Sequence, residues 1–293
     1  MIPRVVVIPG VHRDLDKAKQ SLRKAGCIDK NDAWIGGKTV VVQVGDQVDG
    51  ENRDPRRKRK VHTCLESLEA DVAVLRFFTD LNAAAKHRGG AVHSLLGNHE
   101  IMNIIGDFRY ADTGNCQNCE RERARLFSPG GGVAREIALT RKVVVKIGKL
   151  LFVHAGLSPE VIGIIPGKNV SALNETLSSF CLGGAAWAGV PDARKELIPK
   201  VLLSNSGPLF TRGYANGGDI KSDAVVSMLK SLDVDQMIIG HNVHEPGVST
   251  AHGGAVLVCD PGMSCSVLNA PATAVEISRP DLPMNQRKVR VIR

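Results

Sequence analysis

Aromatic residues make up only 4% of the 293-residue chain, so its core must rest on Val, Ile, Leu and Ala rather than on rings. The same scarcity argues against a single-strand nucleic-acid platform, which needs aromatic faces for base stacking. No apolar run approaches the ~18–20 residues of a transmembrane helix, which excludes a membrane-spanning chain. Met1–Val11 has one basic residue, Arg4, and no small-residue cleavage site follows it, so it reads as a first strand rather than a signal peptide. The 7 cysteines are odd in number and dispersed, which fits no disulfide framework and points to a reducing, cytoplasmic setting. Hydrophobic residues at 43% and charged residues at 23% sit near the globular averages of about 45–50% and 25%, which excludes disordered, collagen-like and coiled-coil chains.

The formal charge of +8 is compatible with an anionic partner, but it is concentrated. Arg53–Lys60 carries +5 and Arg287–Arg293 carries +4, which leaves the rest of the chain nearly neutral. A nucleic-acid-binding domain would spread its charge over a face, so this distribution favours phosphate chemistry. The basic octamer reads first as a solvated loop, with nuclear import through residues 53–60, or an electropositive rim that steers phosphorylated substrates, as alternatives.

Strand and helix patterns alternate in the first half. Val5–Ile8, Thr39–Val44 and Ala91–Leu96 are strand-like runs that each end at glycine or Pro-Gly, while Asp14–Ala25 and Thr63–Lys86 carry helical periodicity. In the second half, Lys142–Ile147 and Leu150–Val153 flank Gly148-Lys149 as a hairpin, and Val170–Phe180 and Asp223–Leu232 read as helices. Gln236–Ile239, Ala255–Val258 and Cys265–Val267 read as short strands. Gly106–Gly132 has the poorest periodicity and reads as an inserted loop. No internal repeat or long linker divides the chain. The expectation is an α/β fold in one domain spanning 1–293, with an insertion at about 104–132 and a basic tail at 287–293.

Metal-capable residues follow the strand ends. His12 follows the first strand, Asp46 and Asp49 the second, and Asn98 and His99 the third; His154 closes the hairpin strand and His241 follows Gln236–Ile239. In open α/β sheets such loops gather at one edge, where ligands bind. Imidazole with carboxylate and carbonyl oxygen suits borderline divalent metals such as Mn, Fe or Zn, and the lack of thiolate in the set argues against a structural zinc. Cys116-Gln117-Asn118-Cys119 has no second pair nearby and reads as plain loop, while His244 and His252 read as flanking residues.

Gly45-Asp46-Gln47-Val48-Asp49, Gly97-Asn98-His99-Glu100, His154-Ala155-Gly156 and Gly240-His241 stand in the order found in calcineurin-like metallophosphatases. The chain most resembles the phosphoprotein-phosphatase branch and its bacterial-type, Shewanella-like members; Gly207–Gly213, with Arg212, is similar to that subgroup's arginine-bearing segment. The resemblance implies a metallophosphoesterase-type β-sandwich with flanking helices. It implies two divalent ions, with Asp46 bridging, His12 on the first and Asn98, His154 and His241 on the second. His99 would protonate the leaving group and Asp49 would orient it. Arg212 would grip phosphate, and the nucleophile would be a water activated by the metals.

Two positions depart from the pattern. Gly10 stands where the family's Gly-Asp-x-His places a metal-binding aspartate, which weakens the first site, and Asp14 offers no evident substitute. Gly50 stands where an arginine would hold phosphate, with Arg53 as a candidate replacement. The expected activity is phosphomonoester hydrolysis on a phosphorylated protein (Ser/Thr or Tyr) or a small phosphoester. A dinucleoside-polyphosphate hydrolase and a degraded phosphate-binding scaffold are the alternatives.

Overall fold

The computed structural model describes residues 2–53, 63–112, 117–214, 220–244 and 247–293. The β-branched runs form strands buried on both faces, as expected where helices cover a sheet on one side and a second sheet covers the other. In β1 (Arg4–Ile8), Val5 and Val7 face the second sheet, while Val6 and Ile8 pack with Ala18, Leu22 and Phe78 from the helices outside. β2 (Val40–Gln43) divides its side chains in the same way, Val40 and Val42 inward and Val41 outward.

The first sheet is completed by β3 (Ala91–Leu95), β4 (Arg141–Lys142), β10 (Ala274–Ser278) and β11 (Val289–Ile292), in the order β11-β10-β1-β2-β3-β4. β1 to β4 are mutually parallel, and β10 and β11 add an antiparallel edge beside β1. The basic tail is thus largely the edge strand β11. The second sheet contains β5 (Val144–Ile147), β6 (Leu150–Val153), β7 (Gln236–Ile239), β8 (Ser249–Ala251) and β9 (Val256–Val258), in the order β5-β6-β7-β9-β8. β6, β7 and β9 are mutually parallel. Ile147, Leu150, Phe152, Ile238 and Leu257 meet Val5, Val7, Val42 and Leu95 between the sheets, so aliphatic side chains fill the core in place of rings.

Helices close both outer faces. α1 (Leu15–Lys24) is N-capped by Asp14, whose side chain accepts the Lys17 N–H, and α2 (Cys64–Lys86) opens with a Thr63–Glu66 capping box. The second sheet is covered by α5 (Gly132–Thr140), α7 (Ser171–Leu182) and α10 (Ser222–Ser231), reached through α3 (Asn98–Ile104), α4 (Gln117–Phe127), α6 (Pro159–Ile164), α8 (Gly184–Ala188) and α9 (Asp192–Lys195). The α/β sandwich with flanking helices read from the sequence is the observed architecture.

Three local readings are corrected. Lys142–Ile147 is not one strand: β4 ends the first sheet and β5 begins the second, with Val143 between them. Residues 106–132 contain a helix, α4, whose Cys119, Arg123 and Phe127 recur at a helical spacing that its polar composition hides. Cys265–Val267 is a turn, because the Leu268 and Ala270 N–H groups both return to the Gly262 carbonyl and leave no ladder to join. Of the basic octamer only Arg53 lies among the described residues, and Cys116 lies outside them.

Candidate metal centre

The parallel strands of both sheets deliver their C-terminal loops to one edge, and there the sequence-selected residues meet. His12, Asp46 and His99 form one grouping whose donor atoms lie within 4.8 Å of one another; Asp46, His154 and His241 form a second. Asp46 belongs to both and turns one oxygen to each. Its Oδ2 is 3.7 Å from His12 Nε2, and its Oδ1 is 3.3 Å from His154 Nε2. Asn98 joins the second grouping through Oδ1, 3.1 Å from His154 Nε2 and 2.9 Å from His241 Nδ1.

The donor set fits a cation. His154 Nδ1 donates to the Val44 carbonyl at 2.6 Å, which fixes the ring and turns Nε2 toward the site. Nε2 faces the oxygens of both Asp46 and Asn98, so three donor atoms converge on a space that a cation would fill. Burial alone would raise the Asp46 carboxyl, but the imidazoles of His154, His99, His12 and His241 hold it well below the ordinary range. Burial pushes His12 well down, and it pushes His241 down to about 3 with help from His154. Both rings therefore give up a proton readily, which frees the nitrogen lone pair that can ligate a metal.

The loops are held in tight backbone. His12, Asp46, Asp49 and His241 all have positive φ, a conformation that is uncommon outside glycine and clusters at functional sites. Gly97 is required where two loops cross, since a Cβ there would collide with the carboxylate and amide of Asp46. Glu100, fully buried, accepts the N–H groups of Asp46 at 3.0 Å, Gln47 at 2.6 Å, Val48 at 3.1 Å and Gly97 at 2.6 Å. One carboxylate thus shapes the loop that carries Asp46.

His99 Nδ1 is 2.8 Å from Asp49 Oδ2. Burial lowers the affinity of His99 for a proton, but Asp46 and Asp49 more than offset it, and its pKa lies above the ordinary histidine value. Asp49 is itself held by Asn103 Nδ2 at 3.0 Å and by Arg123 Nη2 at 2.8 Å.

Arg53 enters the centre: its Nη2 lies 3.1 Å from His12 Nδ1 and 2.9 Å from His99 Nε2, and its guanidinium lies over Tyr110, 5.2 Å from the ring centroid. The turn at Ser264–Ser266 anchors it, since the Arg53 N–H donates to the Ser266 carbonyl and Ser264 Oγ donates to the His12 carbonyl. Arg13 explains Gly50. Its guanidinium fills the space where a side chain at 50 would begin, and its Nη2 donates to the Gly50 carbonyl at 3.1 Å. Arg212 is exposed beside Asn242 and lines a cavity of about 390 Å³ with Asn98, Tyr110 and His241.

All nine sequence-selected residues lie at this edge. Sequence reasoning missed Glu100, Asn103, Arg123, Tyr110 and Asp260. Glu100 stood inside a quoted motif and carried the strand-end signal; Asp260 lies two residues beyond the strand-like run Ala255–Val258, in what reads as a turn; Arg123 and Tyr110 lay in the segment taken as loop.

A two-sheet sandwich with linked His/Asp groupings at its strand ends defines the metallophosphoesterase class. The chain belongs to the calcineurin-like phosphoesterase family, whose profile matches residues 3–245. It is 26% identical to Shewanella-like protein phosphatase 2 of Arabidopsis thaliana over 94% of this chain and 75% of that protein. It is 25% identical to Shewanella-like protein phosphatase 1 of Plasmodium berghei over 53% of this chain and 39% of that one. The fold matches the crystal structure of the cold-active protein-tyrosine phosphatase of a psychrophilic Shewanella species, with a TM-score of 0.71, 21% identity, and coverage of 99% of this chain and 80% of that one. The chain is a phosphatase of a metal-dependent family. None of its described helices is long and apolar enough to cross a membrane.

Proposed function

We propose that this phosphatase removes phosphate from phosphorylated proteins, using two divalent ions of the Mn, Fe or Zn kind. The observation that carries this reading is the placement of Asp46, which turns separate oxygens toward His12 and His154, beside the His99–Asp49 pair. His12 and Asp46 would hold the first ion, and Asp46, Asn98, His154 and His241 the second. When bound, the ions supply the positive charge that acidifies a nucleophilic water and neutralises the phosphoryl oxygens.

The protein residues do the rest. His99 holds a proton at Nε2 for the leaving-group oxygen, with Asp49 fixing the ring through Nδ1. Arg53 and Arg212 bind phosphoryl oxygens, for which the planar guanidinium fork is suited. Arrival of a phosphate draws Arg53 away from His12 and His99 and frees both rings. The word "protein phosphatase" in the names of the relatives supports a protein substrate, as does a cavity edge that bears Arg212 in the open.

The test is hydrolysis of an aryl phosphate, of phosphoserine, phosphothreonine and phosphotyrosine peptides, and of a dinucleoside polyphosphate by purified chain in Mn²⁺. Phosphopeptide turnover well above an Asp46→Asn control supports the proposal. Exclusive turnover of the dinucleoside polyphosphate would redirect it, and no turnover by metal-loaded chain would favour the phosphate-binding scaffold that Gly10 and Gly50 suggest.

A further inference from the structure

We propose that Asp260, at the end of β9, completes the first metal grouping in place of the carboxylate that Gly10 lacks. The proposal rests on the metal centre described above and names a ligand that the family's motifs do not supply.

Topology makes the delivery. β9 is parallel to β7 and ends at the same edge as the strands that carry His154 and His241. Cys259 and Asp260 are the next residues out, so Asp260 is placed by the rule that places the other ligands. Across the site, Gly10 occupies the corresponding position after β1.

Geometry brings the two together. A Cβ built on Gly10 would lie 3.4 Å from Asp46 Cβ, 3.5 Å from His12 Nε2 and 3.7 Å from Asp260 Oδ2. The space that a residue-10 carboxylate would enter is therefore bordered by the ring of His12, by the shared Asp46 and by the carboxylate of Asp260. Asp260 brings its oxygen there from the opposite sheet.

The bonding of Asp260 leaves that oxygen available. Its Oδ1 accepts the Gly262 N–H at 3.0 Å, whereas Oδ2 takes no hydrogen bond and no ion pair from any described residue. The residue is 2% exposed. A buried carboxylate with no cation bound to it, close to a second buried carboxylate, is costly; a divalent ion between them removes that cost. Replacement of an oxygen ligand by one from another strand also keeps the site's charge, which the loss of an aspartate at position 10 would otherwise lower.

Asp260→Asn is the informative variant, because its amide oxygen can still accept the Gly262 N–H while the charge is lost. The measurement is equilibrium dialysis of the full chain against Mn²⁺ over a range of free concentrations, with manganese per chain counted by mass spectrometry and folding followed by circular dichroism. The wild type is expected to bind two ions, and Asp260→Asn to retain one and weaken the other by ~10-fold or more. Gly10→Asp added to Asp260→Asn should restore the second ion, since a Cβ at 10 meets nothing closer than 3.4 Å. Two ions bound equally tightly by folded Asp260→Asn, or no recovery in the double variant, would overturn the role of Asp260 alone. Failure of the wild type to bind any Mn²⁺ would instead overturn the metal-centre reading beneath it.

Discussion

Arg123 donates to Asp49 across 2.8 Å and, through the same Nη2, lies 2.8 Å from Asp71. Both carboxylates are buried, and one guanidinium from α4 lies between them beneath His99, while burial pushes the Asp71 carboxyl up toward its neutral form. Removing one partner of a buried ion pair leaves an uncompensated charge. Arg123→Met should lower unfolding free energy by about 3–5 kcal/mol, read from urea denaturation, and Arg123→Lys should recover only part of it because a single ammonium lacks the fork. A loss below about 1 kcal/mol would mean that the network is dispensable.

Glu100 offers a second test of the supporting structure. Four backbone N–H groups converge on its carboxylate, and glutamine would turn an amide N–H₂ toward some of them. Glu100→Gln should cost about 2–4 kcal/mol of stability. It should also weaken Mn²⁺ binding although Glu100 faces no ion, because Asp46 hangs from the loop it holds. Unchanged metal affinity in a folded variant would separate the loop from the ligand.

Asp260 gives a dependence on pH. Burial, then Asp46, push its carboxyl up to about 6 from an ordinary 3.8. Between these values the folded chain holds a proton that the unfolded chain has released, so the chelator-stripped protein loses stability as pH rises from about 4 to 6. Above pH 6 the deficit is full. Stripped Asp260→Asn should therefore be more stable than stripped wild type at pH 7.5, by on the order of 2 kcal/mol, with the gap closing below pH 4. Equal melting temperatures at both pH values would contradict this.

Arg53 and Arg212 should separate kinetically. Arg212 stands beside Asn242 and His241 rather than beside His99, so Arg212→Ala should raise KM for an aryl phosphate with little change in the limb of the pH profile that His99 sets. Arg53 lies against His99 Nε2 and lowers that ring's affinity for a proton. Arg53→Ala should raise KM and also move the alkaline limb of kcat/KM to higher pH, because His99 then keeps its acidic proton longer. Identical pH profiles for the two variants would remove Arg53 from the proton chemistry.

Much of this was legible in the chain. Val5–Ile8 and Thr39–Val44 announce strands buried on both faces, and the residues just past them announce a site, because parallel strands bring their ends together. The positions that resisted reading are those whose meaning comes from long-range contact. Arg123 is an ordinary polar-helix residue until α4 lies against Asp49. Asp260 looks like a turn aspartate until the opposite sheet places it near Gly10. Cys265–Val267 has strand-like composition, whereas the Leu268 and Ala270 N–H groups just past it turn back to the Gly262 carbonyl.

Val143 is the sole residue between β4 of one sheet and β5 of the other. The sheets are thereby stitched by a seam one residue wide, alongside a shared aliphatic filling. Asp46 and Asn98 hang from one side of that seam, and His154 and His241 from the other. The two halves of the metal centre thus hang from sheets that the chain joins here through a single residue and that the core between them packs together.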